Sequence, residues 1–250
     1  MTEAAFHRGV VFAVLGAAAL TFVSLLFIVA PYGRHARPGW GPTIGARAGW
    51  ILMESPSALG FVAIFALGRH RAELAPLALC ALWEAHYVHR TFIFPFRLPP
   101  TSRRMPLSIA AMGASFNCAN AYMNARWISE LGTYSTGWLG DPRFVIGALL
   151  FVLGAAINVR ADTALLRLRR DGGYAIPRGG LFELVTSPNY FGELVEWAGF
   201  ALAAWSLAGA AFAIYTAANL VPRAIAHRRW YRAEFAEYPR ERRAIVPFLL

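Results

Sequence analysis

The chain has no lysine, and all 24 of its basic residues are arginine. Charge of either sign is scarce, because charged residues fill 15% of the 250 positions and hydrophobic residues fill 57%. This balance excludes an ordinary soluble domain and is typical of membrane proteins. The lack of lysine, together with abundant alanine, is typical of a GC-rich bacterial genome. The membrane expected from composition is therefore the bacterial inner membrane.

Cysteine is scarce as well. Cys80 and Cys118 both fall in apolar runs without CxxC or metal-ligand spacing, which excludes a disulfide framework and a zinc site. We expect no bound metal. The GxGxxG and GxxxxGK[ST] motifs of nucleotide-binding folds are also missing, so a phosphate site would have to use arginine and glycine backbone amides. Without an internal repeat or long linker, residues 1–250 are predicted to form one membrane domain.

Long apolar runs are abundant. A helix needs roughly 20 apolar residues to cross the hydrocarbon core of a bilayer. The runs predict an all-α polytopic integral membrane protein with seven transmembrane helices. They cover residues 10–30, 48–67, 74–96, 105–124, 143–159, 190–206 and 208–225.

The arginines cluster after the first, third and fifth runs and at the end of the chain. By the positive-inside rule these loops and the C-terminus are cytoplasmic, which puts the N-terminus outside. Arg69 and Arg71 lie on the opposite side from the other clusters. Because the net charge of +10 is concentrated in loops, it predicts contact with membrane lipid and no nucleic-acid partner.

Two apolar runs contain groups that could act on a carbonyl. Glu54 lies in the second run, and Tyr87 lies in the third within the polar patch WEAHYVHRTF. An intramembrane acid is either satisfied by a histidine or arginine on a neighbouring helix or belongs to a functional site. A phenol and a carboxyl group in an apolar cavity can donate hydrogen bonds to a ketone oxygen and stabilise a developing enolate.

Polar residues also recur at helical spacing at the end of the fifth run and at the start of the sixth run. They are Asn158, Asp162, Arg169, Asn189 and Glu193, with Glu196 one turn further along. Amides and carboxylates suit ribose hydroxyls or a base edge, whereas arginines and Gly-Gly amides suit phosphates. A lipid head group held between helices would use the same groups.

The last helix presents Arg223, His227 and Tyr231 at i, i+4 and i+8, so this face could meet an anion. The segment 227–247 also interleaves aromatic residues with arginines, as an interfacial amphipathic segment does. Both interpretations remain open from spacing alone.

With these segments in view, the chain resembles the steroid 5-alpha-reductase family, the NADPH-dependent 3-oxo-5-alpha-steroid 4-dehydrogenases of membranes. The resemblance runs from the first apolar run to the final residue. It is densest in GWLGDPRFVIGALLFVLGAAINVRADTALLRLRR, YAIPRGGLFELVTSPNYFGELVEWAGFALAAWSL and RAIAHRRWYRAEFAEYPRERRAIVPFLL, and it includes MESPS and HYVHRTFIFPF.

The resemblance implies seven transmembrane helices, NADPH bound from the cytoplasmic side, and a lipophilic steroid-like enone above its nicotinamide. Glu54 and Tyr87 match the catalytic pair that hydrogen-bonds the 3-keto group. Positions that surround the cofactor match Asn158, Asp162, Arg169, Tyr174, Asn189, Glu193, Arg223, His227 and Tyr231. Residues 1–125 would then form the substrate-site helices, and residues 140–250 the NADPH-binding helices and loops.

The reaction implied is hydride transfer from NADPH to C5 of a 3-oxo-Δ4 steroid. The segment TSPNY occurs in a wider superfamily, so a sterol reductase, an enoyl-thioester reductase or an isoprenylcysteine-type methyltransferase would share the C-terminal half. A small transporter fits less well, because no two related halves are visible. A hydrophobic cavity discriminates poorly between flat enones, which leaves the natural substrate open. The oligomeric state is also open, although a monomer would suffice.

Overall fold

The computed structural model describes residues 2–31, 33–99, 104–168 and 174–250, and these residues are mostly helical. We number the long helical segments within those ranges α1 to α7. They are α1 Glu3–Phe27, α2 Ala46–Phe65, α3 over residues 74–97, α4 over residues 107–131, α5 Pro142–Leu168, α6 Pro188–Ala204 and α7 Leu207–Glu234. Short 3-10 segments lie in the connections at Gly33–His35, Trp138–Gly140 and Gly180–Glu183.

Three of these helices contain a π-helical turn, a feature that often marks functional sites. The turns are Pro56–Gly60 in α2, His89–Ile93 in α3 and Trp127–Leu131 in α4. Pro56 has no N–H, so the carbonyl of Leu52 loses its usual helical donor. The Ser55 hydroxyl donates to that carbonyl instead, over 3.4 Å.

Three helices within the described residues are long and apolar enough to cross a membrane by length and composition: α1, α2 and α5. The membrane character expected from the sequence is therefore confirmed. The other helices, α3, α4, α6 and α7, also lie at predicted runs. They carry polar side chains along the cavity, and α6 is 17 residues long.

A two-stranded antiparallel ribbon ties the α1–α2 connection to the segment before α4. Thr43–Ile44 pairs with Met105–Pro106, with Ile44 opposite Met105. Each strand has only two residues, so the pairing fixes the position of the connection and the fold remains essentially helical.

Helices α5 and α6 approach through glycines at seven-residue spacing on both partners. These are Gly147 and Gly154 on α5, and Gly192 and Gly199 on α6. A Cβ on Gly154 would lie 2.3 Å from the backbone nitrogen of Glu196, and one on Gly199 would lie 2.5 Å from that of Phe151. No side chain fits at these points, so the two backbones are in direct contact. The contact sets α5 and α6 in register where their polar residues begin.

An aromatic cluster forms the centre of the core. The ring of Trp83 lies 4.5 Å from that of Phe61, 5.5 Å from Trp197 and 5.4 Å from Phe200. Its indole nitrogen donates to the Ser57 carbonyl over 2.8 Å, which satisfies the polar atom of a fully buried side chain. Trp83 also contacts Tyr87, at 4.9 Å between centroids, so the cluster supports one wall of the site.

Candidate active site

A cavity of about 720 Å³ is lined by residues from all seven helices and from the connections after α1 and α5. Its volume lies within the range of small-molecule sites, roughly 300–1,000 Å³. The residues predicted from the sequence that line it are Glu54, Tyr87, Asp162, Tyr174, Asn189, Glu193, Arg223 and His227. Asn158 and Tyr231 lie directly behind this wall, and Arg169 lies outside the described residues.

Two asparagines on α4 hold the predicted catalytic pair. Asn117 donates from Nδ2 to Glu54 Oε2 over 3.2 Å, and Asn120 donates from Nδ2 to the Tyr87 hydroxyl over 3.3 Å. Both asparagines are buried, and Asn120 is held in turn by Asn124 through a 3.0 Å bond. Neither residue was predicted from the sequence. Their spacing of i, i+3 within an apolar run was the available signal, because it puts both amides on one helix face.

Glu54 and Tyr87 each stand two residues before a π turn, the first before Pro56 and the second before His89. A π turn inserts an extra residue into the helical ladder and rotates the side chains that follow it. Arg90 follows Tyr87 by three residues, and both line the cavity. The guanidinium of Arg90 lies 4.8 Å from the ring centroid of Trp50.

A chain of hydrogen bonds links α3, α5 and α6. Arg90 Nη1 lies 3.1 Å from Asp162 Oδ2, and Asn189 Nδ2 donates to Asp162 Oδ1 over 2.9 Å. Asn158 Nδ2 donates to the Asn189 carbonyl over 3.0 Å and reaches Glu193 Oε2 at 3.4 Å. Every member is buried or half-buried, so the chain holds amides and carboxylates in fixed positions along the cavity.

A carboxylate–histidine pair lies next to Tyr87. His86 Nδ1 is 2.8 Å from Glu196 Oε1, and the exposed fractions of the two residues are 9% and 1%. His86 also lines the cavity. The spacing of Glu196 with Asn189 and Glu193 predicted an inward-facing acid, but its partner on α3 became visible only in the structure.

Basic residues form a second part of the wall, which we call the basic wall: Arg34, His35, Arg223 and His227. The Arg34 guanidinium lies 4.6 Å from the Tyr231 ring centroid, 5.0 Å from Trp230 and 5.3 Å from Tyr174. Its Nη1 atom is buried with no hydrogen-bond acceptor among the residues that the structure describes. An arginine nitrogen left in this state is suited to an anionic ligand.

His35 stacks on His227 with ring centroids 5.5 Å apart, and its buried Nε2 also lacks a partner within the described ranges. Burial, together with the neighbouring charges of Arg34 and Arg223, lowers the pKa of His35 to about 4. His35 is therefore neutral at pH 7. Arg223 donates to the Tyr190 hydroxyl over 2.8 Å, so its guanidinium is held in place at the same wall.

The C-terminal segment is fastened to the connection between α5 and α6. Arg242, fully buried, donates to the Pro177 carbonyl over 2.8 Å and to Glu183 Oε2 over 2.9 Å. The backbone N–H of Gly179 and the Arg242 guanidinium lower the pKa of the Glu183 carboxyl. This contact fixes the segment that follows Tyr174, and Tyr174 itself lines the cavity.

Comparison with known proteins gives a consistent result. Residues 103–250 match the family model described as 3-oxo-5-alpha-steroid 4-dehydrogenase. Steroid 5-alpha-reductase DET2 of Arabidopsis thaliana is 43% identical over 258 residues, covering 100% of this chain and 98% of the plant protein. The chain is 45% identical over 222 residues to 3-oxo-5-alpha-steroid 4-dehydrogenase 1 of Homo sapiens, covering 87% of this chain and 85% of the human protein. These relatives are plant and mammalian, so they give no support to a bacterial inner membrane.

Proposed function

Since the chain belongs to the 3-oxo-5-alpha-steroid 4-dehydrogenase family, a family of oxidoreductases, we propose that it reduces the C4–C5 double bond of 3-oxo-Δ4 steroids with NADPH. The membrane in which it does so, expected from composition to be the bacterial inner one, stays a prediction.

The observation that carries this proposal is the meeting of Glu54 and Tyr87 on one largely apolar cavity. The two residues come from different helices, and each is held by its own asparagine. A ketone oxygen placed between them would accept hydrogen bonds from the phenol and from a protonated carboxyl group. Withdrawal of electron density toward that oxygen makes the β carbon of an enone electrophilic. Apolar surroundings exclude water from the reacting atoms.

The cavity residues fit a dinucleotide. The unpartnered Nη1 of Arg34 and the adjacent Arg223 suit a pyrophosphate or a 2'-phosphate. Asp162, Asn189 and Glu193 offer amide and carboxylate groups for ribose hydroxyls and a carboxamide. Asn158 does not line the cavity, and it would position Glu193 through its hydrogen bond. Tyr231 would support Arg34 through its ring contact. We keep Arg169 in the cofactor set as a prediction.

NADPH, when bound, supplies the hydride. The protein's own groups then have three tasks. Tyr87 and Glu54 hold the ketone and stabilise negative charge as it develops on the oxygen. The hydrogen-bonded chain from Arg90 to Glu193 fixes the polar groups that would orient the nucleotide. The aromatic cluster around Trp83 keeps Tyr87 in place.

We also propose that α3, α4, α6 and α7 cross the bilayer along with the three strongly apolar helices, giving seven spans with the N-terminus outside and the C-terminus cytoplasmic. Helices up to about residue 125 would form the substrate site, and residues 140–250 most of the cofactor site. The basic wall would then face the cytoplasm, where NADPH is available.

The test is NADPH oxidation by the detergent-purified protein with progesterone or testosterone, with the product identified by mass spectrometry. A 5α-reduced product supports the proposal. Binding of NADPH without turnover would point to a sterol or another enone, and turnover with S-adenosylmethionine in place of NADPH would point to a methyltransferase.

Tyr87→Phe tests the site within the same assay. Loss of one oxyanion donor typically lowers kcat by about 10²–10³-fold. We expect that loss with NADPH binding retained. Tyr122→Phe is the matched control, because Tyr122 is another tyrosine of the core region that packs against Phe6 and lies off the cavity wall. Full activity of Tyr87→Phe would remove Tyr87 from the reaction.

A further inference from the structure

The carboxylate–histidine pair of His86 and Glu196 has no task in the reaction as described above. His86 Nδ1 is taken by Glu196 Oε1 at 2.8 Å, so the ring nitrogen that remains for the cavity is Nε2. The ring is held from another side by Trp197, at 4.6 Å between centroids. Among the described residues, Nε2 of His35 is a buried nitrogen without a hydrogen-bond partner. Nε2 of His86 is not one of these buried, unpartnered atoms.

The charges around His86 favour a proton donor. Glu196 is 1% exposed, and its second oxygen, Oε2, has no hydrogen-bond partner among the described residues. Arg90, the arginine nearest to His86 along α3, forms a salt bridge with Asp162. A buried carboxylate whose hydrogen-bond partner is a histidine stabilises an imidazolium and directs its other N–H outward.

The position of His86 relative to Tyr87 indicates which atom such a donor would reach. The two residues are adjacent, and their ring centroids are 5.0 Å apart. In a 3-oxo-Δ4 steroid the ketone oxygen and C4 are separated by two bonds through C3. A steroid whose ketone is held by Tyr87 would therefore place C4 two bonds from that oxygen, in the same cavity that His86 lines.

We infer that His86 is the catalytic acid that protonates C4, and that Glu196 is the residue that positions and charges it. This inference rests on the proposed function. Addition of hydride at C5 converts the double-bond electron pair and the carbonyl into an enolate. As the enolate collapses, the C3–O double bond re-forms, and C4 forms a bond to the proton of His86 Nε2. The imidazole is left neutral and takes a proton from water, which closes the cycle without an additional oxidant or reductant.

Three variants separate this chemistry from a structural role. His86→Asn keeps an amide near the Nδ1 position, and so keeps a contact to Glu196, but removes the Nε2 donor. Glu196→Gln keeps a hydrogen bond to the imidazole but removes the charge. The matched control is His7→Gln on α1, because His7 is 3% exposed, bonds the Met123 carbonyl over 2.8 Å through Nε2, and does not line the cavity.

We expect His86→Asn to bind NADPH and to lower kcat about 10²-fold, the lower range for loss of a general acid. Glu196→Gln should lower kcat about tenfold, in keeping with loss of one charged hydrogen-bond partner. His7→Gln should remain at the wild-type rate. NADPH affinity, measured by nucleotide fluorescence, reports independently on the folded site.

The position of solvent deuterium supplies the readout that a structural role would not change. Reactions run in D2O with progesterone are quenched with borohydride, so that later enolisation does not exchange the label, and C4 is examined by NMR. Wild type should place deuterium on one face of C4. The residual product of His86→Asn should carry it on both faces.

The outcomes separate the two proposals. A wild type that reduces no 3-oxo-Δ4 steroid removes the proposed function, and this inference with it. An active wild type beside a His86→Asn variant with normal kcat and single-face labelling overturns the inference alone. Loss of NADPH binding in both His86→Asn and Glu196→Gln would assign the pair to structure and overturn it as well.

Discussion

At the scale of single residues, the placement of Glu54, Tyr87 and Asp162 on one wall could be predicted, because charged and phenolic groups in apolar runs rarely face lipid. Asn117 and Asn120 were not predicted. Their i, i+3 spacing puts both amides on one helix face, but it does not show which side chains they bond. Arg34 and His35 were missed for another reason. An arginine just after a span is explained by the positive-inside rule, and only the folded chain places it on the cavity.

Arg34 offers a direct test of the basic wall. Removal of a charged donor to a phosphate should weaken NADPH binding by roughly 10–100-fold, since hydrogen bonds to charged groups contribute about 1.5–3 kcal/mol. We expect Arg34→Gln to raise the Kd for NADPH by that factor, measured by nucleotide fluorescence. Arg37→Gln is the control, because Arg37 bonds the Val29 carbonyl and does not line the cavity. Equal effects of the two substitutions would mean that net charge alone matters.

His35 gives a prediction about pH. Its pKa is lowered from 6.5 to about 4 in the folded protein, so the unfolded chain binds a proton that the folded chain rejects between these values. The stability of nucleotide-free protein should therefore fall as pH decreases from 6.5 to about 4. We expect His35→Asn to lose less stability than wild type across this window in thermal unfolding. Parallel pH profiles for the two proteins would contradict the assignment.

At the scale of elements, the helices follow the predicted apolar runs, but several of their ends do not. The fifth apolar run ends at residue 159, whereas helix α5 continues to Leu168. The added turns bury Asp162 at the cavity and leave Arg160 and Arg167 exposed. The π turns were not predicted, since their registers depend on which carbonyls neighbouring side chains satisfy. The two-residue strands at Thr43–Ile44 and Met105–Pro106 are too short to produce an alternating pattern.

The glycine contact between α5 and α6 is the element-scale feature most exposed to mutation. Gly154→Ala would place a methyl group 2.3 Å from the Glu196 backbone nitrogen, and neither backbone can yield without moving its helix. Overpacking of this kind costs about 1–3 kcal/mol. We expect that loss in unfolding free energy in detergent, with lower activity because Asn158 and Asp162 shift together.

Gly16→Ala on α1 is the control for this change, since a Cβ there meets no atom within 4 Å. Alanine is the better helix former, so Gly16→Ala should be neutral or slightly stabilising. Equal destabilisation by both substitutions would show that the α5–α6 contact is looser than these distances indicate.

At the scale of the whole molecule, Arg69 and Arg71 after the second run oppose the predicted orientation. The structure accounts for Arg69, which forms a salt bridge with Glu130 at 2.9 Å and also bonds it through the backbone N–H. Two arginines in this connection are outnumbered by the clusters after the first, third and fifth runs and at the end of the chain. The larger clusters therefore remain the better guide to orientation.

Orientation can be measured with reporters fused in turn to each connection. We expect a cytoplasmic reporter, such as a fluorescent protein that matures only inside, to be active at the C-terminus and in the α5–α6 connection. A reporter active only outside should work at the N-terminus and in the α2–α3 connection near Arg69. An even number of crossings between the two termini would contradict the seven-span proposal.

The hydrogen-bonded pairs between helices α3, α5 and α6 also constrain how the sequence can evolve. Arg90 with Asp162 and His86 with Glu196 each join a residue of the first half of the chain to one of the second half. A substitution on one side leaves a buried charge unmatched unless the other side changes too. Chimeras that exchange the two halves between distant relatives should therefore be active only when both members of each pair are inherited or replaced together. The two halves are not independently exchangeable.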